Sequence, residues 1–171
     1  MKLKSRILKL MPILLVLNSC INSAKIKPPT NYEILIGLEK AAEEGKKIKT
    51  ELRIIKDLDE GISQAINENK PILLIFTGYG VINSRKLESE IILKNKEIFT
   101  MMKDKFVNVW LYVDDIKDVE KKCAKLQTFK FNGNYQPQIF ILDSTGTKID
   151  GGIGYEESKS QLLHLLKKYE R

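Results

Sequence analysis

Few side chains in this chain could do chemistry near neutral pH. Its 171 residues hold two cysteines, Cys20 and Cys123, and one histidine, His164. Disulfide exchange needs a thiolate that attacks and a second thiol that resolves the mixed disulfide. Cys123 sits in Lys121-Lys122-Cys123-Ala124-Lys125-Leu126. Its lysine neighbours could lower the thiol pKa, or the cysteine could be a small buried hydrophobe on a helix. His164 has a leucine on each side and no partner nearby in sequence, which suits a structural or surface position. Ser84 lies in Phe76-Thr77-Gly78-Tyr79-Gly80-Val81-Ile82-Asn83-Ser84-Arg85-Lys86-Leu87-Glu88. A serine hydroxyl stays protonated unless a base activates it, and Asn83 and Ser84 are both good helix caps. The adjacent acids Asp114 and Asp115 are too few to hold a cation; they suit a strand end followed by a helix cap. Gly151-Gly152-Ile153-Gly154 lacks a following Lys-Ser/Thr, so it is not a phosphate loop and reads as a flexible connector. These residues imply no metal and no cofactor.

Periodicity gives the elements that would position these groups. Ile48 to Ile55 alternates and predicts a first strand. Asp57 or Asp59 caps a helix to about Glu68, with Ile62, Ala65 and Ile66 inward and Pro71 as the stop. Ile72 to Phe76 is a continuous apolar run, which suits a strand covered on both faces. Thr77 to Ile82 is then a loop, and the next helix carries Leu87, Ile91 and Ile92 on one side. A short helix follows over Lys96 to Lys103, then a strand over Val107 to Val113. Asp115 or Asp118 begins a helix through Leu126. Gln138 to Leu142 is a further strand, and Asp143 to Thr147 turns it into Lys148-Ile149-Asp150. A last helix covers Glu156 to Tyr169.

The composition is that of a globular chain, 43% hydrophobic and 30% charged. The net charge is +7, but Lys2, Lys4, Arg6 and Lys9 lie in an acid-free stretch before residue 20, and without them +3 remains. That imbalance is too small, and too little interleaved with aromatic residues, to argue for nucleic acid. The basic start leads into Leu10-Met11-Pro12-Ile13-Leu14-Leu15-Val16-Leu17, too short to span a bilayer. Leu17-Asn18-Ser19-Cys20 follows and resembles a bacterial lipoprotein signal. The resemblance implies cleavage before Cys20 and acylation of that residue, hence a lipid-anchored protein of the cell envelope facing the periplasm. The mature chain would keep one thiol. Tyr32 to Lys46 reads as a short helix stopped by Gly45. The expected layout is a signal peptide over 1–19, a lipidated tether with a short helix over 20–46, and a folded domain over 47–171.

The stretch from Phe76 to Glu88 resembles the active-site segment of thioredoxin-like proteins, specifically the periplasmic thiol–disulfide interchange family. Gly78, Gly80, Asn83, Arg85, Lys86 and Glu88 carry the resemblance, with Tyr112-Val113-Asp114-Asp115 and Gln136-Pro137. It covers about Lys47 to Tyr169 and implies an α/β, thioredoxin-like fold, a central mixed sheet flanked by helices. It also puts Val81 where the attacking thiol would be, Ser84 at the resolving thiol, and Ile75 at a buried acid. Pro137 matches a cis proline beside the active loop, where Gln136 would offer its backbone to an extended peptide as in strand addition. The proline is equally suited to a purely architectural role. Tyr79, Val81 and Ile82 would form an apolar rim there or pack locally. His164 would lie far from this loop, which leaves no serine-hydrolase constellation.

The expected function is therefore a redox-inactive module that binds an envelope protein or an extended peptide. The alternative is thiol–disulfide interchange through Cys123 or through a partner's cysteines. A scaffold subunit without a peptide groove is a third reading.

Overall fold

The structure is a computed structural model that describes Glu43, Gly45, Lys46, Ile48, Thr50 and residues 51–170. Cys20 and the expected signal peptide and tether lie outside the described residues, as does most of the expected helix over Tyr32 to Lys46. The central strand β1 (Ile72–Thr77) is flanked by β2 (Val107–Tyr112) in parallel and β3 (Gln138–Leu142) antiparallel, with β4 (Lys148–Ile153) antiparallel at the edge. After residue 57, the α-helices among the described residues are α1 (Leu58–Glu68), α2 (Ile82–Lys86), α3 (Lys96–Lys105), α4 (Lys122–Phe131) and α5 (Tyr155–Tyr169). A π-helical turn, Leu87–Ile92, continues α2.

β1 is buried along its whole length because both its faces are covered. Leu73 and Ile75 enter one apolar cluster with Trp110, Ile139, Leu87, Met102 and Leu162. Ile72, Leu74 and Phe76 enter the other with Val109, Phe140, Ala65 and Phe131. The alternation of a pleated strand thus splits the core into two layers. Gly61 lets α1 approach the sheet closely, since a Cβ there would collide with Val109.

The expected first strand is not formed. Glu43, Gly45, Lys46, Ile48, Thr50 and Glu51 are helical, so Gly45 does not stop the helix. Ile48 and Leu52 are buried one helical turn apart, and Leu52 N–H donates to the Ile48 carbonyl at 2.9 Å. That spacing satisfies a helical period as well as an alternating one. Arg53, at φ 50°, ends the run, and only Ile55 bridges to Val109 in parallel.

Four smaller differences follow local chemistry. Asn69, in the left-handed region, closes α1 before Pro71, and Ile66 points outward. α4 starts later than expected, yet Asp118 still accepts from the N–H groups of Lys122 and Cys123, both at 2.9 Å. Gly151 and Gly152 belong to β4 and are not a connector. Gly151 takes φ 101°, and a Cβ there would lie 2.6 Å from the Ile139 carbonyl oxygen.

Candidate functional site

β1 delivers the chain to a loop at Gly78–Val81, and Val81 is the N-cap of α2 with no side-chain cap. Asn83 and Ser84 are therefore not caps. Asn83 is an exposed residue within the helix, and Ser84 is buried, its Oγ accepting from Gly78 N–H at 3.4 Å. The hydroxyl joins the helix to the strand end instead of closing the helix. Asp114, just past β2, accepts from Tyr79 N–H at 2.8 Å and from Gly80 N–H at 2.9 Å. Burial alone would raise the Asp114 carboxyl, but the N–H groups of Gly80 and Tyr79 outweigh it and hold the group below the usual carboxylate range. Asp114 thus caps a loop, and the helix-capping acid is Asp118.

Arg85 completes the clamp. Its guanidinium donates to the Gly78 carbonyl at 3.1 Å and pairs with both oxygens of Glu88, at 2.9 and 3.0 Å. Glu88 is buried. The sequence shows this pair only as an i, i+3 spacing, which is neutral on burial. Tyr79 lies flat on Tyr112, with ring centroids 4.1 Å apart, and Lys56 Nζ reaches the Tyr79 hydroxyl at 3.2 Å. Burial first, then the Glu88 carboxylate, pushes the Tyr112 hydroxyl well above its ordinary range. Of the expected apolar rim, Tyr79 is half packed in this stack, Val81 is half-buried, and Ile82 stands out at 72% exposure.

The second loop of the site precedes β3. The Gln136–Pro137 peptide is cis. The pairing of Phe76 with Gln138 puts Gln136 and Pro137 at the end of the sheet from which the Gly78–Val81 loop leaves. Three glutamines hold this loop to α4. Gln127 donates to the Tyr135 carbonyl at 2.8 Å and to Gln138 Oε1 at 2.9 Å, and accepts from Gln136 Nε2 at 2.8 Å. Gln127 and Gln138 are buried, so these bonds satisfy amides that would be costly to leave unmade. No hydrogen bond among the described residues uses the backbone N–H or C=O of Gln136.

Beneath the loop, Ile75 is buried opposite Trp110 and Ile139 in register. Cys123 is elsewhere, on α4, against the second apolar cluster. Burial first, then the Asp118 carboxylate, pushes its thiol up to about 11, so the lysines of α4 do not activate it. His164 is exposed on α5. Among the described residues, no group of three or more His, Cys, Asp or Glu could hold a metal ion.

A family model described as a thioredoxin-like domain matches residues 58–170. The chain belongs to the thioredoxin-like domain family. The thioredoxin-like domain is similar to a disulphide isomerase from Xylella fastidiosa Temecula1 at 17% identity, over 65% of this chain and 86% of that one, with a TM-score of 0.47. It is similar to a mutant thioredoxin from Halobacterium salinarum NRC-1 at 13% identity, over 69% and 89% of the two chains, with a TM-score of 0.47. It is also similar to the reduced DsbD C-terminal domain from Neisseria meningitidis at 15% identity, over 66% and 94%, with a TM-score of 0.46. No curated protein matches the chain. The fold is the α/β, thioredoxin-like one expected, a mixed four-stranded sheet flanked by five helices.

Proposed function

We propose that this thioredoxin-like protein binds an extended peptide or partner segment and does not exchange disulfides. The observation that carries the reading is the start of α2. From Phe76 to Glu88 there is no sulfur, and the positions that the resemblance assigns to the two thiols hold an apolar Val81 and a buried Ser84. Without a thiolate at the helix N-terminus there is nothing to attack a disulfide. Ile75, at the buried-acid position, removes the proton relay from the same place. Cys123 is a poor substitute, because at neutral pH a thiol with a pKa near 11 is almost wholly protonated.

Binding needs an open acceptor beside a fixed surface. Gln136 offers a backbone N–H and C=O that no hydrogen bond among the described residues uses, and Tyr79 on the neighbouring loop and Ile82 at the start of α2 offer apolar surface. Main-chain pairing at Gln136 would give affinity, and the apolar side chains would select residues of the bound segment. The partner in this reading is a cell-envelope protein or peptide, and the anchor is lipid on Cys20. No described helix is long and apolar enough to cross a membrane.

A photo-crosslinking residue in place of Gln136, and another in place of Ile66 on α1, tests the reading in envelope extracts. The Gln136 probe should capture a discrete partner that the Ile66 probe does not. Equal capture at both, or capture at Ile66 alone, favours a scaffold without a groove. The double substitution Val81→Cys with Ser84→Cys checks the assignment of the positions: it should form a reducible disulfide. Failure to form one means that Val81 and Ser84 do not hold the thiol positions.

A further inference from the structure

Two tyrosines at one end of the sheet are held in the same way. Tyr79 packs on Tyr112, the last residue of β2, with ring centroids 4.1 Å apart, and Lys56 Nζ donates to its hydroxyl at 3.2 Å. The Tyr135 hydroxyl donates to the Gly152 carbonyl of β4 at 2.7 Å, and its ring lies so close to Gly154 that a Cβ there would be 3.0 Å from it. Both residues are nonetheless 43% exposed. A ring fixed at its hydroxyl and along one side has little rotamer freedom left, so a ligand that covers the rest of it gives up little entropy.

The sheet sets these rings on the two flanks of the Gln136 backbone. The strand order is β2-β1-β3-β4. Tyr112 pairs with Thr77, Phe76 with Gln138 and Ile139 with Ile153. The chain at Tyr112, Gly78, Gln136 and Gly154 therefore stands at one and the same end of the sheet. Tyr79 is on the β2 side of that row and Tyr135 on the β4 side. From β2 to β4 the row is about 14 Å wide at roughly 4.8 Å per strand step, the length of about four extended residues.

The loops at this end carry no charge. Gly78–Ser84, Asn132–Pro137 and Gly151–Tyr155 contain no Asp, Glu, Lys, Arg or His, although 30% of the chain is charged. The charges on the border have both signs. Asp114 accepts from the N–H groups of Tyr79 and Gly80, Arg85 pairs with Glu88, and Glu90 accepts from the Tyr155 hydroxyl at 2.6 Å. Lys56 Nζ stands 5.8 Å from the centre of the Tyr79 ring, and Lys86 Nζ 6.0 Å from that of Tyr155. A charged side chain laid on this surface would lose water without gaining a counter-ion from these loops. At Tyr79 a cation would also meet Lys56 as a like charge. We propose that Tyr79 and Tyr135 select the segment that Gln136 binds, and that they take an uncharged extended peptide with an aromatic side chain for each ring. Aromatic pairs, offset or edge-to-face, attract beyond the area they bury. The proposal deepens the peptide-binding reading and rests on it.

The probe is a library of random heptapeptides displayed on phage, panned against the full-length chain carrying Cys20→Ser so that no acyl group contributes. Enriched sequences should hold two aromatic residues about three or four positions apart, and fewer charged residues than the input library. The most enriched sequence, made as a peptide blocked at both ends, should bind on the order of tenfold more weakly to Tyr79→Ser and to Tyr135→Ser in the same background. Tyr79→Phe and Tyr135→Phe keep the ring and should stay within about threefold of the parent. The apolar run near the N-terminus is common to all of these and cannot produce a difference among them. Charged residues enriched to the level of the input or above, unchanged affinity in either Ser variant, or a loss in the Phe variants as large as in the Ser ones would each overturn the proposal and leave peptide binding at Gln136 standing. Enrichment of no peptide would overturn that reading and the proposal with it.

Discussion

Two loops meet at one end of this sheet, and they treat their backbones in opposite ways. In the loop after β1, Gly78 N–H goes to Ser84, the Gly78 carbonyl to Arg85, and the N–H groups of Tyr79 and Gly80 to Asp114. In the loop before β3, the Gln127 side chain bonds to those of Gln136 and Gln138, while no hydrogen bond among the described residues uses the Gln136 backbone. The first loop has its backbone groups bonded within the domain. The second is held through side chains. A buried backbone group left unpaired is costly, so an open one at the surface is where an added strand can gain hydrogen bonds. The difference explains how a thioredoxin-like frame can keep its shape without the thiols that the resemblance leads one to expect there.

The closed loop should break most visibly at Arg85. Arg85→Ala leaves the buried Glu88 without its cation. Because the guanidinium is partly exposed, the loss should be about 2–3 kcal/mol in urea unfolding, below that of a fully buried pair. Arg85→Lys should recover only part, because a lysine lacks the fork that reaches Gly78 and Glu88 together.

The open loop should break at Gln127. Gln127→Leu removes three hydrogen bonds and leaves the Tyr135 carbonyl without its donor, at a cost of about 1–3 kcal/mol. Crosslinking from residue 136 should fall with it. Asp114→Ala should have a smaller effect on stability, about 1 kcal/mol, because water can replace the carboxylate at this exposed site. The amides of Tyr79 and Gly80 should exchange clearly faster by NMR. Asp114 is depressed in the folded state, so its contribution is present above its unfolded pKa and is lost as pH falls through its folded one. Faster exchange of these two amides in acid, beyond the intrinsic pH trend, is the expected sign.

The smallest effect belongs to the remaining thiol. Cys123→Ser should change stability by less than about 1 kcal/mol, since the side chain is only half-buried. Alkylation of wild-type Cys123 should be slow near neutrality and accelerate toward pH 11. Fast reaction near neutral pH would reopen thiol chemistry at α4.

What could be read from the sequence follows the range of each interaction. The continuous apolar run marks β1 because no other arrangement buries both faces of so short a segment, and Gln138 to Leu142 coincides with β3. Residues 48–55 are ambiguous because Ile48 and Leu52, four apart, fit a helical turn as well as an alternating strand, and Ile54 extends the alternation while Ile55 extends the helical period. Ser84 has the composition of a cap, and only the tertiary position of Gly78 decides that its hydroxyl turns back to the strand end. Asp114 reaches backbone groups 34 and 35 residues away, and Gln127 a side chain 11 residues away, with no local pattern to announce either. The Arg85–Glu88 spacing was visible, but its burial was not. The loop and the proline that build the candidate site were thus legible, while the side chains that hold them were not.

The central claim is that the end of the sheet that carries Val81 and Ser84 holds a segment and does not pass electrons. Catalytic reduction of a protein disulfide, followed with wild type and Cys123→Ser in the presence of a thiol reductant, tests it most directly. Both should show only the background rate of the reductant. Turnover above that background by either protein, and above all by Cys123→Ser, would contradict the account.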